Sequence, residues 1–289
     1  VPVRVEYADG TKAKLRLKIC VGNTFGRSEV DYYLRDYVDM PQAPLVKCYH
    51  ADYDTAVGYH LLLEDMSETH HNRREVPSTL EYGLAVAEAL GRLHRYHNGS
   101  APVPSEGVWK RYFDVIRPGV VPMEQTTGQV FSERFEEHAK ALQVRWADPI
   151  GMSLLHGDLN PMNILTPKNA DSPVYFLDRQ PFDWSLTYGL GAYDLAYFLV
   201  VWWAEHTQAV YWQEILKRWY EAFACPGYSW EQAQSDWLLS VEQCLHVPIE
   251  WCSNSETLVS MQWLWEIQLR RVQYTLALVT NTRNIIGHF

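Results

Sequence analysis

The hydrophobic pattern of the chain changes character near Met66, from mostly strand-like to mostly helical, and that change points to a two-part fold. Up to about Met66 the apolar residues alternate or run in short stretches. Val3 to Tyr7 and Lys14 to Ile19 predict two strands joined through Ala8-Asp9-Gly10-Thr11, where Asp-Gly supplies the positive backbone angles of a tight hairpin. A polar, Gly-bearing stretch from Val21 to Arg27 leads into a predicted helix from Ser28 to Val38. Its apolar residues Val30, Tyr33, Leu34 and Tyr37 recur at helical spacing, and Ser28 stands where a cap is wanted. Val57 to Leu63 predicts a further short strand ending in Glu64-Asp65-Met66. The polar run Ser67 to Val76 then changes the character of the chain, so the reading places residues 1–66 in a small lobe and 67–289 in a larger one.

Beyond the boundary the period is helical. Ser78 with Glu81 reads as a capping box opening a helix to about Tyr96, with Leu84, Ala87, Leu90 and Leu93 on its apolar face. Frequent Pro and Gly make Ser100 to Gly128 a loop with one short helix at most, and Ser132 to Trp146 a further amphipathic helix. Leu154 to Leu165 contains loop and short strand, and Val174 to Leu177 a second strand. Four helices are predicted after that: Tyr193 to Glu205, Gln208 to Phe223, Ser229 to His246 with Gln232 in a capping-box position, and Thr257 to Thr280.

Composition narrows the partners. The formal charge of -10 repels a polyphosphate backbone and an anionic membrane surface alike, so nucleic acid and membrane are not expected as partners. The longest apolar stretch, Leu195 to Ala204, is too short to span a bilayer, and five widely spaced cysteines without a Cys-x-x-Cys pair indicate neither disulfide framework nor zinc knuckle. A cytoplasmic location is the expectation.

The chemistry concentrates in Leu155-His156-Gly157-Asp158-Leu159-Asn160-Pro161-Met162-Asn163-Ile164-Leu165 and Tyr175-Phe176-Leu177-Asp178. Asn163 follows Asp158 by 5 residues and Asp178 follows it by 20. Phosphoryl transfer asks a protein for one carboxylate to orient the attacking hydroxyl and for oxygen ligands that hold magnesium on the phosphates. Asp158 fits the first part as the base; Asn163 and Asp178 offer hard oxygen donors suited to Mg²⁺.

This constellation resembles the Brenner motif of the aminoglycoside phosphotransferase and choline kinase superfamily. Leu93-His94 and Gly191-Ala192-Tyr193-Asp194-Leu195-Ala196-Tyr197 fit the same pattern. Leu63-Glu64-Asp65-Met66, paired with Asp194 to Leu199, looks closest to the ecdysteroid-kinase-like branch. The resemblance implies an α+β, two-lobed protein-kinase-like fold with a small antiparallel-sheet lobe and a mainly helical one. It implies ATP and Mg²⁺ as cofactors, ATP between the lobes with its adenine against the backbone of Glu64, Asp65 and Met66, and a structural Asp194 bracing the catalytic loop. One departure stands out: the strand and Gly-bearing loop of the family pattern have no counterpart before Val3.

In the small lobe a strand lysine must reach the phosphates and a helix glutamate must fix it. Lys14, Arg16 and Lys18 share one face of their strand, so any of the three suits the part; Lys18 at the strand end, with Glu29, is preferred. Asp31 stands close to Glu29 as a rival. His94 and His97 read as packing or surface residues and His70-His71 as an exposed loop. The tryptophans, ten of twelve from Trp184 onward, read mostly as core.

The function expected is Mg²⁺- and ATP-dependent transfer of the γ-phosphate to a hydroxyl of a small molecule. A protein kinase is disfavoured because Gly157 stands where protein kinases carry Arg and because only 16 residues separate Asp178 from Asp194. The rival from another class is a catalytically silent nucleotide-binding or interaction protein, suggested by the absent Gly-rich strand and by Asp178-Arg179-Gln180. The Trp and Tyr load after Tyr193 points to an acceptor with an apolar or quaternary-ammonium body rather than a polycationic aminoglycoside.

Overall fold

The computed structural model describes residues 1–6, 8–22, 26–72, 78–97, 106–169, 172–179 and 186–286. Tyr7, the middle of the Gly22–Gly26 stretch, Val76, Ser100, Gln180 and Trp184 lie outside them. In chain order come β1 (Pro2–Glu6), β2 (Lys12–Val21), α1 (Ser28–Asp31), a π-helical turn (Tyr32–Asp36), β3 (Cys48–Asp54), β4 (Gly58–Glu64), β5 (His70–His71) and α2 (Leu80–Tyr96). Then follow α3 (Glu106–Ile116), α4 (Val120–Thr127), α5 (Ser132–Trp146), β6 (Met152–Leu154), a 3₁₀ turn (Pro161–Asn163), β7 (Ile164–Pro167), β8 (Tyr175–Phe176) and β9 (Tyr188–Leu190). Last are α6 (Gly191–Ala196), a π-helical turn (Tyr197–Val201), α7 (Glu205–Phe223), α8 (Trp230–Gln243), α9 (His246–Trp251), α10 (Ser255–Ser260) and α11 (Gln262–Ile286). The chain forms two compact units, Val1–Val76 with Pro161–Pro181 and Pro77–Asn160 with Phe182–Phe289.

The first unit is built on an antiparallel sheet of order β1-β2-β4-β3. Its first hairpin closes as the sequence predicts. Glu6 pairs with Lys12, and the Asp9 carboxylate accepts the Thr11 N–H at 2.9 Å and the Thr11 hydroxyl at 2.6 Å. Strand β4 buries Tyr59, Leu61 and Leu63 on one face, as the two-residue period of a strand requires. Strand β3 escaped the sequence reading because it is an edge strand in which only Ala51 is buried, so it carries no apolar run.

Helix α1 begins at Ser28, but the N-cap is Arg27 and no side chain caps it. From Tyr32 the helix widens into the π-turn, which adds one residue to the turn and brings Tyr32, Tyr33 and Asp36 inward together. The segment Pro161–Pro181, expected with the larger lobe, belongs to the first unit. Strand β7 pairs antiparallel with β5 and β8, and Phe176 bridges Leu45. His70 is accordingly buried, its ring Nε2 2.8 Å from the Pro173 carbonyl, rather than an exposed loop residue.

The second unit is helical. Helix α2 runs to Tyr96 as expected, but its cap is Thr79, whose hydroxyl accepts the Tyr82 N–H, one residue beyond the predicted Ser78. It packs along α7 so closely that a Cβ on Gly91 would stand 2.7 Å from the Trp219 carbonyl oxygen, a contact only glycine permits. Leu90 and Leu93 are fully buried; each contributes about 1.5–3 kcal/mol of transfer free energy.

Residues 106–127, expected to be mostly loop, hold α3, a 3₁₀ turn and α4. Pro118 sits at the start of its turn, where no intrahelical N–H is needed. Helix α8 is capped by Ser229, whose Oγ accepts the Gln232 N–H at 3.1 Å, as predicted. Trp146, Trp219, Trp237 and Trp265 are among the largest fully buried side chains and form core, whereas Trp263 is exposed. Among the described residues no helix is long and apolar enough to cross a membrane.

Candidate active site

Strand β2 presents Lys14, Arg16 and Lys18 on one face, and each meets a different acid. Lys14 pairs with Glu68 at the surface, and Arg16 Nε lies 3.2 Å from Asp65 Oδ2. Lys18 turns inward and pairs with both Glu29, at 2.7 Å, and Asp178. That settles which of the three basic residues joins the acidic cluster. Asp31 does not compete with Glu29, because Arg27 and Arg35 hold it from positions four residues away.

Glu29 is buried and accepts the Tyr59 hydroxyl at 2.5 Å on Oε2, while its Oε1 is buried without a hydrogen-bond partner. Burial pushes its carboxyl up to about 7, against the pull of Lys18. For Lys18, burial works to lower the ammonium, but the charges of Glu29 and Asp178 outweigh it and the net shift is upward. Lys18 is therefore a firm cation between two acids.

Asp178 follows β8 and adopts the left-handed conformation at φ 57°, uncommon for a residue with a Cβ. Its side chain is 41% exposed. Asn163 closes the 3₁₀ turn and is nearly buried; its carbonyl accepts the Leu177 N–H at 2.8 Å, which fastens the turn to the residue before Asp178. Among the described residues no three His, Cys, Asp or Glu side chains gather as a metal cage. One carboxylate and one amide oxygen suit Mg²⁺, which keeps waters and takes further ligands from phosphates.

Glu64, Asp65 and Met66 line a cavity of about 390 Å³ whose apolar walls are Val46, Leu63, Leu165 and Leu177, all in the first unit. Volume and lining suit a flat heteroaromatic base. The Glu64 N–H is bonded to the Lys47 carbonyl and the Asp65 N–H to the Lys14 carbonyl, so this backbone is held rigid at the cavity's edge.

The second unit carries Asp158. Its Oδ1 accepts the Tyr197 hydroxyl at 2.8 Å and the Asn160 amide at 3.1 Å, while its N–H faces His156 Nδ1 at 3.3 Å. Gly157, at φ 82°, supplies a left-handed turn that the arginine of protein kinases would strain. Asp194 braces the loop: Oδ2 accepts the His156 N–H at 2.6 Å, and Oδ1 the Gly157 N–H at 3.0 Å.

His94 completes that brace. Trp219 Nε1 donates to His94 Nδ1 at 3.1 Å, which leaves the proton on Nε2, 3.1 Å from Asp194 Oδ2. Asp194 is fully buried, which raises its carboxyl. The hydrogen bonds from His94 and from the Gly157 N–H prevail, and the net shift is downward. Asp194 stays an acceptor.

Tyr197 and Arg179 were given no role of their own from sequence. Tyr197 lies one helical turn after Asp194, so the i, i+3 spacing marks it as facing the same loop. It also opens a π-turn, a feature frequent at functional sites. Arg179 stood in the sequence only as part of Asp178-Arg179-Gln180, with nothing to mark its partner.

The sequence profile described as the phosphotransferase enzyme family matches residues 41–233. The fold is similar to that of an ethanolamine kinase from Plasmodium vivax, at 14% identity and a TM-score of 0.56 over 94% of this chain and 78% of that one. It is similar to an aminoglycoside phosphotransferase from Alicyclobacillus acidocaldarius, at 12% identity and a TM-score of 0.53 over 100% and 91%. A microcompartment-associated aminopropanol kinase aligns at 12% identity and a TM-score of 0.51 over 96% and 86%. No curated protein sequence matches the chain. The α+β architecture is thus the kinase-like one expected, and the chain belongs to the phosphotransferase enzyme family.

Proposed function

We propose that the protein is a small-molecule kinase that transfers the γ-phosphate of ATP to a hydroxyl group. The observation that carries this reading is the convergence of Lys18 on Glu29 and Asp178, three residues drawn from separate parts of the chain. Lys18 would neutralise the phosphates, oriented by Glu29, and the cavity at Glu64, Asp65 and Met66 would take the adenine. Asp178 and Asn163 would hold Mg²⁺, which when bound neutralises charge on the transferring phosphoryl group.

Asp158 would accept a hydrogen bond from the acceptor hydroxyl and take its proton as the new O–P bond forms and the bond between the β-phosphate oxygen and the γ-phosphorus breaks. ADP and a phosphate monoester are the products. Tyr197 and Asn160, both donating to Oδ1, would hold the carboxylate in register for that step.

For the acceptor we favour an alcohol with an apolar or quaternary-ammonium body, in keeping with the ecdysteroid-kinase-like pattern of the sequence. Most of the tryptophans that suggested it are core, which narrows the support to the edge-on pair of Tyr197 and Trp202 beside Asp158, with ring centres 6.2 Å apart. A coupled ADP-release screen with Mg²⁺ tests the reading. The panel holds choline, ethanolamine, an aminopropanol, lipophilic alcohols and an aminoglycoside. Turnover of choline or a lipophilic alcohol supports the assignment; turnover confined to ethanolamine, the aminopropanol or the aminoglycoside keeps the kinase and overturns the acceptor class, and no turnover by a nucleotide-binding protein favours a silent binder.

A further inference from the structure

The residue after Asp178 is a buried arginine. The Arg179 side chain is 2% exposed and Asp36 is 6% exposed, with Nη1 3.2 Å from Asp36 Oδ2. The guanidinium lies over the Tyr32 ring, 5.7 Å from its centre. The other Asp36 oxygen accepts Arg35 Nε at 2.7 Å. Asp36 stands seven residues after Glu29, on the continuous segment formed by α1 and its π-turn.

We propose that Arg179 is a positioning residue: held by Asp36 and Tyr32, it ties the helical segment that carries Glu29 to the turn that carries Asp178. The two acidic partners of Lys18 are thereby fixed relative to each other. The proposal rests on the reading of Lys18, Glu29 and Asp178 as nucleotide-handling residues.

Such an anchor holds Asp178 in its left-handed backbone, which aspartate visits more readily than most residues with a Cβ but does not prefer. On its N-terminal side the Leu177 N–H is fastened to Asn163. On its C-terminal side the next side chain is Arg179, buried in the partner segment. Arginine is suited to this position because its planar guanidinium stacks on an aromatic face while donating to a carboxylate, which an ammonium cannot do. A buried ion pair is weak evidence for stability in itself, since apolar residues of similar volume often replace one at no cost. Stability and positioning therefore separate experimentally.

The experiment compares the wild-type chain with the Asp36→Leu/Arg179→Met double variant. It measures thermal unfolding, amide hydrogen exchange without nucleotide, and binding of a fluorescent ADP analogue with and without Mg²⁺. The double variant is expected to unfold at about the wild-type temperature. It should exchange faster in both 28–36 and 174–179, and lose about five-fold or more of the affinity that Mg²⁺ adds, with metal-free affinity held within about two-fold. Unchanged exchange in 174–179 together with an unchanged Mg²⁺ gain would overturn the proposal. Should the double variant not fold, Arg179→Lys is judged by the same split, and wild-type behaviour in it overturns the proposal equally. A wild-type chain that binds no nucleotide defeats the functional reading instead, and hydrogen exchange alone then decides the tie.

Discussion

The Tyr197 hydroxyl donates a 2.8 Å hydrogen bond to Oδ1 of Asp158. Burial, reinforced by the Asp158 charge, holds its proton on well above the usual tyrosine range, so it remains a donor at every working pH. A hydrogen bond to a charged acceptor is worth about 1.5–3 kcal/mol. Tyr197→Phe should therefore lower the acceptor-dependent kcat roughly 10- to 100-fold while leaving nucleotide affinity unchanged. Steady-state kinetics with ATP and the acceptor varied separately check this; an unchanged kcat removes Tyr197 from the positioning of Asp158.

Asp194 is buried and serves His94 and the His156 and Gly157 N–H groups together. Asp194→Ala should cost about 3–5 kcal/mol, because it leaves three buried donors without their acceptor, at about 1–3 kcal/mol each. Asp194→Asn, which keeps one acceptor oxygen, should cost less. Urea unfolding of both variants decides, and equal stability of Asp194→Ala and wild type would contradict the brace.

Glu29 makes stability and activity respond to pH in opposite directions. Its carboxyl is pushed from the usual 4.5 to about 7 by burial, so across that interval the folded chain holds a proton that the unfolded chain releases. Its contribution to folding is full below the interval and is lost as pH rises through about 7. The ionised Glu29 that orients Lys18 forms over the same interval. Relative to Glu29→Gln, wild type should lose thermal stability as pH climbs through this window while its turnover rises. Parallel stability profiles for the two proteins would contradict the assignment.

What the sequence made legible was local. Ser229 with Gln232 and the Asp9-Gly10 turn of the first hairpin act over a few residues, so their patterns survive in a linear reading. Strand parity placed Lys18 on a face with Lys14 and Arg16, but only the fold showed which of the three turns toward Glu29 and Asp178. The two π-turns were hidden because one inserted residue breaks the helical period after Tyr32 and again after Tyr197. Tyr197 and Arg179 act on partners 39 and 143 residues away, distances at which a single sequence carries no pairing signal. The helices of 106–127 were obscured by Pro118, Gly119 and Pro122, which lie in turn-forming or first-turn positions where they do no harm.

In the proposed reaction Asp158 orients and deprotonates an acceptor hydroxyl. Mg²⁺-dependent ADP release by Asp158→Asn, measured with the acceptor found in the screen and beside wild type of equal folded fraction, tests it most directly. A folded protein with nucleotide affinity intact and turnover reduced by about 10²–10⁴-fold, the worth of a positioned general base, is expected. Turnover near the wild-type rate in that variant would contradict it.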